Sequence, residues 1–325
     1  MRAGVVGLGL IGGSILRGLA AVGVEVAGHD ASPAVREAAA AEGFAVAAGA
    51  AELARGCDLV LVAVPPEATA DAVAAALAAD PGVVVADTAS VKAPVLDAVR
   101  TQAPGAASRY VPAHPLAGAA TTGWAASSRE TVAGAVWAVC PPEAGAPLEP
   151  LCRLSELVEP LGGRLIACSA PEHDDAVART SHVPHVAAQA LTRILGDEEG
   201  GLRAALSGGG YRDMTRVARS DPALWVEILS MNRAGVVAAL DELAEELRWY
   251  RAALEGGDRS GLARTWAGAR EVLAAVDAVR WAPATWEEST LEPPSWDGLV
   301  ALGRAGRAVR RLRVEGQALR FEVIA

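Results

Sequence analysis

The segment Gly7-Leu8-Gly9-Leu10-Ile11-Gly12 constrains this chain more than any other feature. It follows an apolar run, Ala3 to Val6, and precedes a stretch rich in leucine and alanine, so it sits where a strand turns into a helix. The first glycine permits the tight turn, the second lets phosphates approach the backbone, and the third lets the helix pack against the strand. Leu10 and Ile11 begin that helix, where unpaired N–H groups and the positive dipole end favour an anion. Asp30 ends the next apolar run, at the distance where a carboxylate accepts hydrogen bonds from a ribose. Its charge repels a 2′-phosphate, and the nearest arginine is Arg36, so the pattern predicts NAD rather than NADP. A ligand-free glycine turn is the alternative for an isolated match; strand, helix and Asp30 together argue against it.

Through residue 168, short apolar runs alternate with alanine-rich helical stretches, the pattern of a parallel sheet wrapped by helices. Expected strands are Ala3 to Val6, Val24 to Gly28, Leu59 to Val64, Val83 to Ala86, Tyr110 to Ala113, Ala135 to Val139 and Arg164 to Ala167. Val64 and Pro65 close one of them and belong near the nicotinamide half of the cofactor. After Ser169 helical periodicity takes over, at about 172–196, 222–254 and 259–280. The reading is therefore a doubly wound α/β Rossmann domain over residues 1–168 and an all-α domain over 169–285. A short extension over 286–325 follows, with a hairpin suggested by the alternation around Glu315-Gly316-Gln317.

Composition sets outer limits. A net charge of −10 makes nucleic acid an unexpected partner, and no run reaches the roughly 20 apolar residues of a spanning helix, so no membrane is expected either. The N-terminus imitates a secretory signal, yet glycines interrupt it and charges follow soon after. Cys57, Cys140, Cys152 and Cys168 show no C-x-x-C spacing and fit reduced thiols in a cytoplasmic protein. Lys92 is the only lysine.

Four further segments lie behind the nucleotide motif: Asp87-Thr-Ala-Ser-Val-Lys92, Ala113-His-Pro-Leu-Ala-Gly118, Ser181-His-Val-Pro-His185, and Gly208-Gly-Gly-Tyr-Arg-Asp-Met-Thr-Arg216. Each alone is weak. In this order, across residues 1–280, the chain closely resembles the prephenate and arogenate dehydrogenases of tyrosine biosynthesis. The resemblance implies oxidative decarboxylation of a cyclohexadiene, in which the ring C4–H leaves as hydride, the C4 hydroxyl gives up its proton, and the ring carboxylate leaves as CO2. It also implies a homodimer through the helical domain, for which the amphipathic segment Pro222 to Leu254, with Trp225, Trp249 and Tyr250, offers a face.

In that family the histidine of the His-Pro segment is catalytic, which assigns the hydroxyl partner to His114; neutral imidazole accepts a proton near physiological pH. The matching serine, Ser90, is assigned to the substrate hydroxyl or to orienting His114, with a helix cap as its plainer role. Arg216 is the choice for the side-chain carboxylate, since guanidinium forms two parallel hydrogen bonds to it. Arg212, one helical turn earlier, is a second binder or a solvated charge. His185 corresponds to a substrate-side histidine, and Pro184 predicts a bend beside it. Lys92 neutralises ligand charge or pairs with Asp87, and His173-Asp174 is a gating or a structural pair. A zinc site of His182, His185 and a third histidine is conceivable by spacing, but no metal is expected.

One departure stands out. Many family members carry a glutamate two residues after His-Pro-x-Ala-Gly, and this chain has Ala119-Ala120-Thr121 instead. The extension is too short for the regulatory domain some members append. β-Hydroxyacid dehydrogenases, which place a catalytic lysine in the helical domain, fit poorly because no lysine lies there. A non-catalytic NAD sensor would not need His114 and Arg216, and a 4-amino-4-deoxyprephenate dehydrogenase would keep the same chemistry on a different ring substituent.

Overall fold

A computed structural model describes residues 1–119, 121–196, 201–280 and 284–324. Six strands form the first sheet: β1 (Arg2–Val6), β2 (Glu25–His29), β3 (Ala45–Val46), β4 (Leu59–Val62), β5 (Val84–Asp87) and β6 (Tyr110–Val111). They pair in parallel in the order β3-β2-β1-β4-β5-β6, the doubly wound arrangement, in which the strand order reverses beside β1. Val6 lies opposite both His29 and Val62, and Val62 opposite Asp87. The carboxyl ends of four strands thus finish in one line, which brings Gly7, Asp30, Ala63 and Thr88 to a common edge.

The run expected as one strand from Tyr110 to Ala113 is divided at Pro112, which has no N–H to continue the ladder. Beyond it the chain enters a second sheet of β7 (Ala113–Pro115), β8 (Val136–Val139), β9 (Arg164–Ala167), β10 (Trp286–Leu291), β11 (Val309–Glu315) and β12 (Ala318–Ile324). Its order is β10-β12-β11-β9-β8-β7, and only the β8–β9 pair is parallel. The apolar alternation of the first 168 residues therefore serves two sheets rather than one.

The C-terminal extension completes that second sheet. β11 and β12 are antiparallel around Gly316, and β11 meets β9 where Val309 faces Leu165. Trp296, Leu299, Val300, Leu312, Leu319, Phe321 and Val323 join one buried cluster with Trp137, Leu151, Leu154 and Leu165. The helix Trp296–Arg304 packs so closely on β9 that a Cβ at Gly303 would stand 1.8 Å from the Ala167 carbonyl oxygen.

The helical part begins at a capping box: Ser169 accepts from the Glu172 N–H, and the Glu172 carboxylate accepts from the Ser169 N–H. The helix Ala170–Val177 opens into a wide π turn over Ala178–His182 and resumes as Val183–Leu195 with Pro184 in its first turn. Pro184 has no N–H for the ladder, which accounts for the widened turn just before it. Asp221 caps the helix Pro222–Met231, accepting from Ala223 N–H at 2.9 Å. It meets the long helix Arg233–Glu255 at a 94° bend, and Arg259–Arg280 follows. This part has little core of its own: Ala178, Val183 and Ala239 are its separate buried cluster, while Leu247, Leu254, Trp266 and Leu273 are 60–68% exposed. No single helix among the described residues is long and apolar enough to cross a membrane, and the four cysteines are free thiols.

Candidate active site

The glycine segment forms a cradle that side chains would fill. Gly7 sits at φ +90°, and a Cβ there would lie 2.5 Å from the Ala63 carbonyl oxygen and 2.9 Å from Val64 Cγ1. A Cβ at Gly12 would come within 1.8 Å of the Gly7 oxygen, whereas one at Gly9 would meet nothing within 4 Å. The open space at Gly9 is where a ligand can lie against bare backbone. The helix Leu10–Ala21 starts there with no side-chain cap, so the N–H groups of its first turn, Leu10 and Ile11 included, are left for an anion. Asp30 Oδ2 accepts from Leu8 N–H and Oδ1 from Ser32 N–H, both at 2.8 Å, which fixes the carboxylate beside the cradle with lone pairs to spare. Arg36 donates to the Asp30 carbonyl oxygen at 2.6 Å and to that of Ala31 at 3.1 Å. Val64 packs on Gly7, and Pro65 precedes the helix Pro66–Ala79. These residues fit a dinucleotide.

Beside the same edge, β7 carries His114. Its ring is half-buried, with Nδ1 2.9 Å from His173 Nε2. His173 Nδ1 lies 2.8 Å from Asp174 Oδ1, and Asp174 also accepts from the backbone N–H groups of Lys92 at 2.7 Å and Ala93 at 2.8 Å. Burial works to raise the Asp174 pKa, but the hydrogen bonds from His173, Lys92 and Ala93 outweigh it and hold the carboxyl below its ordinary value. Burial, with the neighbouring His173, Lys92 and His182, drives His114 well below the usual histidine range, and burial lowers His173 as well. Both rings are neutral at pH 7.

Lys92 takes the second of its two expected roles. Its side chain is wholly buried, its ammonium is paired with Asp87, and it donates to the Ala113 carbonyl oxygen at 2.6 Å. Asp87 further accepts from Tyr110 OH at 2.8 Å, Ala113 N–H at 2.9 Å and Ala89 N–H at 3.0 Å. The ammonium is thus spent on the wall that holds β7, and of the two roles weighed for Lys92, neutralising ligand charge gives way to the internal pair with Asp87. Ser90 lies two residues away, part-exposed; the helix Ala93–Gln102 starts after Lys92 without a side-chain cap, so Ser90 is not its cap.

The helical part supplies the opposite side. His185 stacks on Trp225 with centroids 3.6 Å apart and donates from Nδ1 to the Ser181 carbonyl oxygen at 2.8 Å. Burial lowers its pKa, the Ser181 carbonyl opposes that, and the nearby Arg216 guanidinium adds to the lowering. Arg216 is exposed on the turn Arg216–Arg219, and Arg212 is exposed one turn earlier. Asn232, unremarked in the sequence, donates to the Asp174 carbonyl oxygen at 2.7 Å and lies 3.2 Å from His182 Nδ1. His182 is buried and held by burial at a pKa of about 4. Among the described residues no group of three His, Cys, Asp or Glu is arranged to hold a metal. Ala120, where the family glutamate is replaced, lies outside the described residues.

Two family models match the chain in succession: the prephenate dehydrogenase nucleotide-binding domain over residues 16–167 and the prephenate dehydrogenase dimerization domain over 169–267. A cyclohexadienyl dehydrogenase of Zymomonas mobilis is 35% identical over 264 residues, covering 78% of this chain and 88% of the relative. A prephenate dehydrogenase of Lactococcus lactis is 25% identical over 91% of this chain and 83% of its own length. Among solved structures, a candidate prephenate dehydrogenase from Corynebacterium glutamicum superposes with a TM-score of 0.81 at 31% identity, covering 94% of this chain and 96% of that one. Two consecutive domain models, a dinucleotide cradle and a histidine at the cofactor edge make this chain a member of the prephenate dehydrogenase family, an oxidoreductase with NAD as its cofactor.

Proposed function

We propose that the chain is a prephenate dehydrogenase that converts prephenate to 4-hydroxyphenylpyruvate with release of CO2 and NADH. The observation that carries this reading is His114: a neutral imidazole at the cofactor edge, its Nδ1 engaged by His173 and its other nitrogen uncommitted. NAD supplies the hydride acceptor for the ring C4–H. His114 takes the proton of the C4 hydroxyl as the hydride leaves; the C–CO2 bonding electrons then aromatise the ring, and the proton returns to the phenolate oxygen. Ser90, whose hydroxyl is not used as a cap, holds the same hydroxyl in line. Arg216 binds the side-chain carboxylate in a bidentate pair, with His185 fixed against Trp225 beside it and Arg212 contributing longer-range attraction.

The proposed assembly is a cytoplasmic homodimer through the helical domain. With Ala178, Val183 and Ala239 as its only separate buried cluster among the described residues, that domain needs a partner for Val237, Leu247, Leu254 and Trp266. Light scattering at micromolar concentration should return a dimer; a monomer would remove the idea.

NADH formation from prephenate, arogenate and 4-amino-4-deoxyprephenate, each with NAD and with NADP, tests the substrate. Turnover of prephenate with NAD is expected, and preference for either amino compound would move the reading to that substrate. His114→Asn should lose turnover far more than affinity, and Arg216→Ala should chiefly raise KM.

A further inference from the structure

The hydrogen bonds linking His114, His173 and Asp174 have a direction, and it is set at the carboxylate end. A carboxylate can only accept. Asp174 takes two backbone N–H groups, from Lys92 and Ala93, at 2.7 and 2.8 Å, and with the His173 contact these hold its carboxyl below the ordinary value; it is ionised at pH 7, and the contact at 2.8 Å to His173 requires the hydrogen on His173 Nδ1. His173 is buried and neutral, so its Nε2 carries a lone pair. His114 Nδ1, 2.9 Å from that lone pair, must then donate. One nitrogen of His114 remains, Nε2, and it has no hydrogen.

We propose that Asp174 and His173 are positioning residues that lock His114 in the Nδ1–H tautomer, so that Nε2 always faces the ligand as a proton acceptor. An unlocked imidazole samples both tautomers, and one of them presents an N–H that cannot take a proton. The lock also serves the protonated state: the imidazolium formed at His114 keeps a lone-pair partner in His173, with a carboxylate behind it, the logic of a histidine–carboxylate pair extended by one ring. Asn232 anchors the carboxylate end from the helical domain through the Asp174 carbonyl oxygen, so the orientation of a β7 side chain depends on residues from two other elements. This inference rests on His114 being the proton acceptor of the reaction.

The tautomer can be read without any substrate. The chain has five histidines, and 15N-histidine labelling of the NAD-loaded enzyme, assigned by single substitutions, gives distinct shifts for pyrrole-type and pyridine-type nitrogens. His114 should show pyrrole-type Nδ1 and pyridine-type Nε2. In His173→Leu that pattern should be lost, and kcat should fall about 10²–10⁴-fold, the usual contribution of a positioned acid–base group, with KM little changed. His173→Gln places an amide oxygen where Nε2 stood and should restore both the pattern and at least about tenfold of the lost kcat. A wild-type His114 with hydrogen on Nε2, or a pattern indifferent to His173→Leu, overturns the lock whatever the substrate. A tautomer that is lost while turnover persists leaves the lock standing and instead removes His114 as the base.

Discussion

Replacing Lys92 by methionine tests how the site wall is held. The side chain is wholly buried, and its ammonium bridges the Asp87 carboxylate and the Ala113 carbonyl oxygen, one residue before His114. Methionine keeps most of the volume and removes the charge, leaving Asp87 as a buried carboxylate without its counter-ion. Losing one partner of a buried pair typically costs about 3–5 kcal/mol. Three donors remain on Asp87, from Tyr110, Ala113 and Ala89, and they soften the loss, so the expected value is near about 3 kcal/mol. Against a total stability on the order of 5–15 kcal/mol this is a large fraction, read as a lower urea midpoint at unchanged slope. A second assay exploits the composition. Lys92 is the only lysine, so an amine-specific acylating reagent should label the native chain once, at the α-amine, and a second time only on unfolding. A loss below about 1 kcal/mol, the range of exposed pairs, would refute the reasoning, as would native labelling of Lys92 at the unfolded rate.

Gly9→Ala and Gly12→Ala separate folding from cofactor binding. The Gly9 change meets nothing within 4 Å and should leave the melting temperature unchanged while weakening NAD by about tenfold or more, whereas the Gly12 change should lower both, read by calorimetry; undiminished NAD binding by the Gly9 variant would contradict the cradle. Stability should fall with acid between the ordinary histidine pKa and about 4, where the unfolded chain takes protons that buried His182 refuses, with His173 and His114 acting in the same direction. The unfolded state binds more protons there, so unfolding free energy rises with pH; a pH-independent urea midpoint from about 6.5 down to 4 would count against it. Removing residues 286–325 should abolish cooperative unfolding, because Trp296, Leu312, Phe321 and Val323 leave the cluster that covers Trp137 and Leu165; a soluble truncated chain with a sharp melt would show the extension to be dispensable.

Legibility in the sequence followed the range of the interaction. The cradle from Gly7 to Asp30 is local: a turn, a helix start and the end of the next strand, each with its own signal, and the register of β1, β2 and β4 does bring those ends together. The strand Ala45–Val46 is two residues long, too short to show any periodicity. The break at Pro112 was visible as a residue but not as a change of sheet, because which neighbour β7 pairs with is decided by β8, more than 20 residues later. The extension shows its hairpin locally through Gly316, yet its attachment to the second sheet, by the facing pair Val309 and Leu165 and by the cluster it shares with Trp137 and Leu151, is announced by no local pattern.

The same limit governs the chemistry. His114 and His173-Asp174 are each conspicuous as residue types, but their contact spans 59 positions, and the sign of that contact depends on two backbone N–H groups at Lys92 and Ala93, which any residue except proline would provide. Backbone donors have no letter in a sequence. Lys92 is the converse case: its singularity drew attention to the right residue, while its burial chose between two open roles, since an ammonium just after a strand reads equally as a ligand contact or as half of an internal pair until the position of Asp87 is known. Asn232 is the only asparagine of the chain, as singular as Lys92, but it belongs to none of the motifs, and only the fold makes it the residue that holds the Asp174 backbone. Asp174, which orients His114, is therefore held at its carboxylate by the Rossmann domain through Lys92 and Ala93 and at its backbone carbonyl by Asn232 of the helical domain. A change in how the two domains meet would move Asp174 and His173, and with them the acceptor nitrogen of His114, before it moved the cofactor cradle, whose turn and packing lie within the first sheet and its own helix.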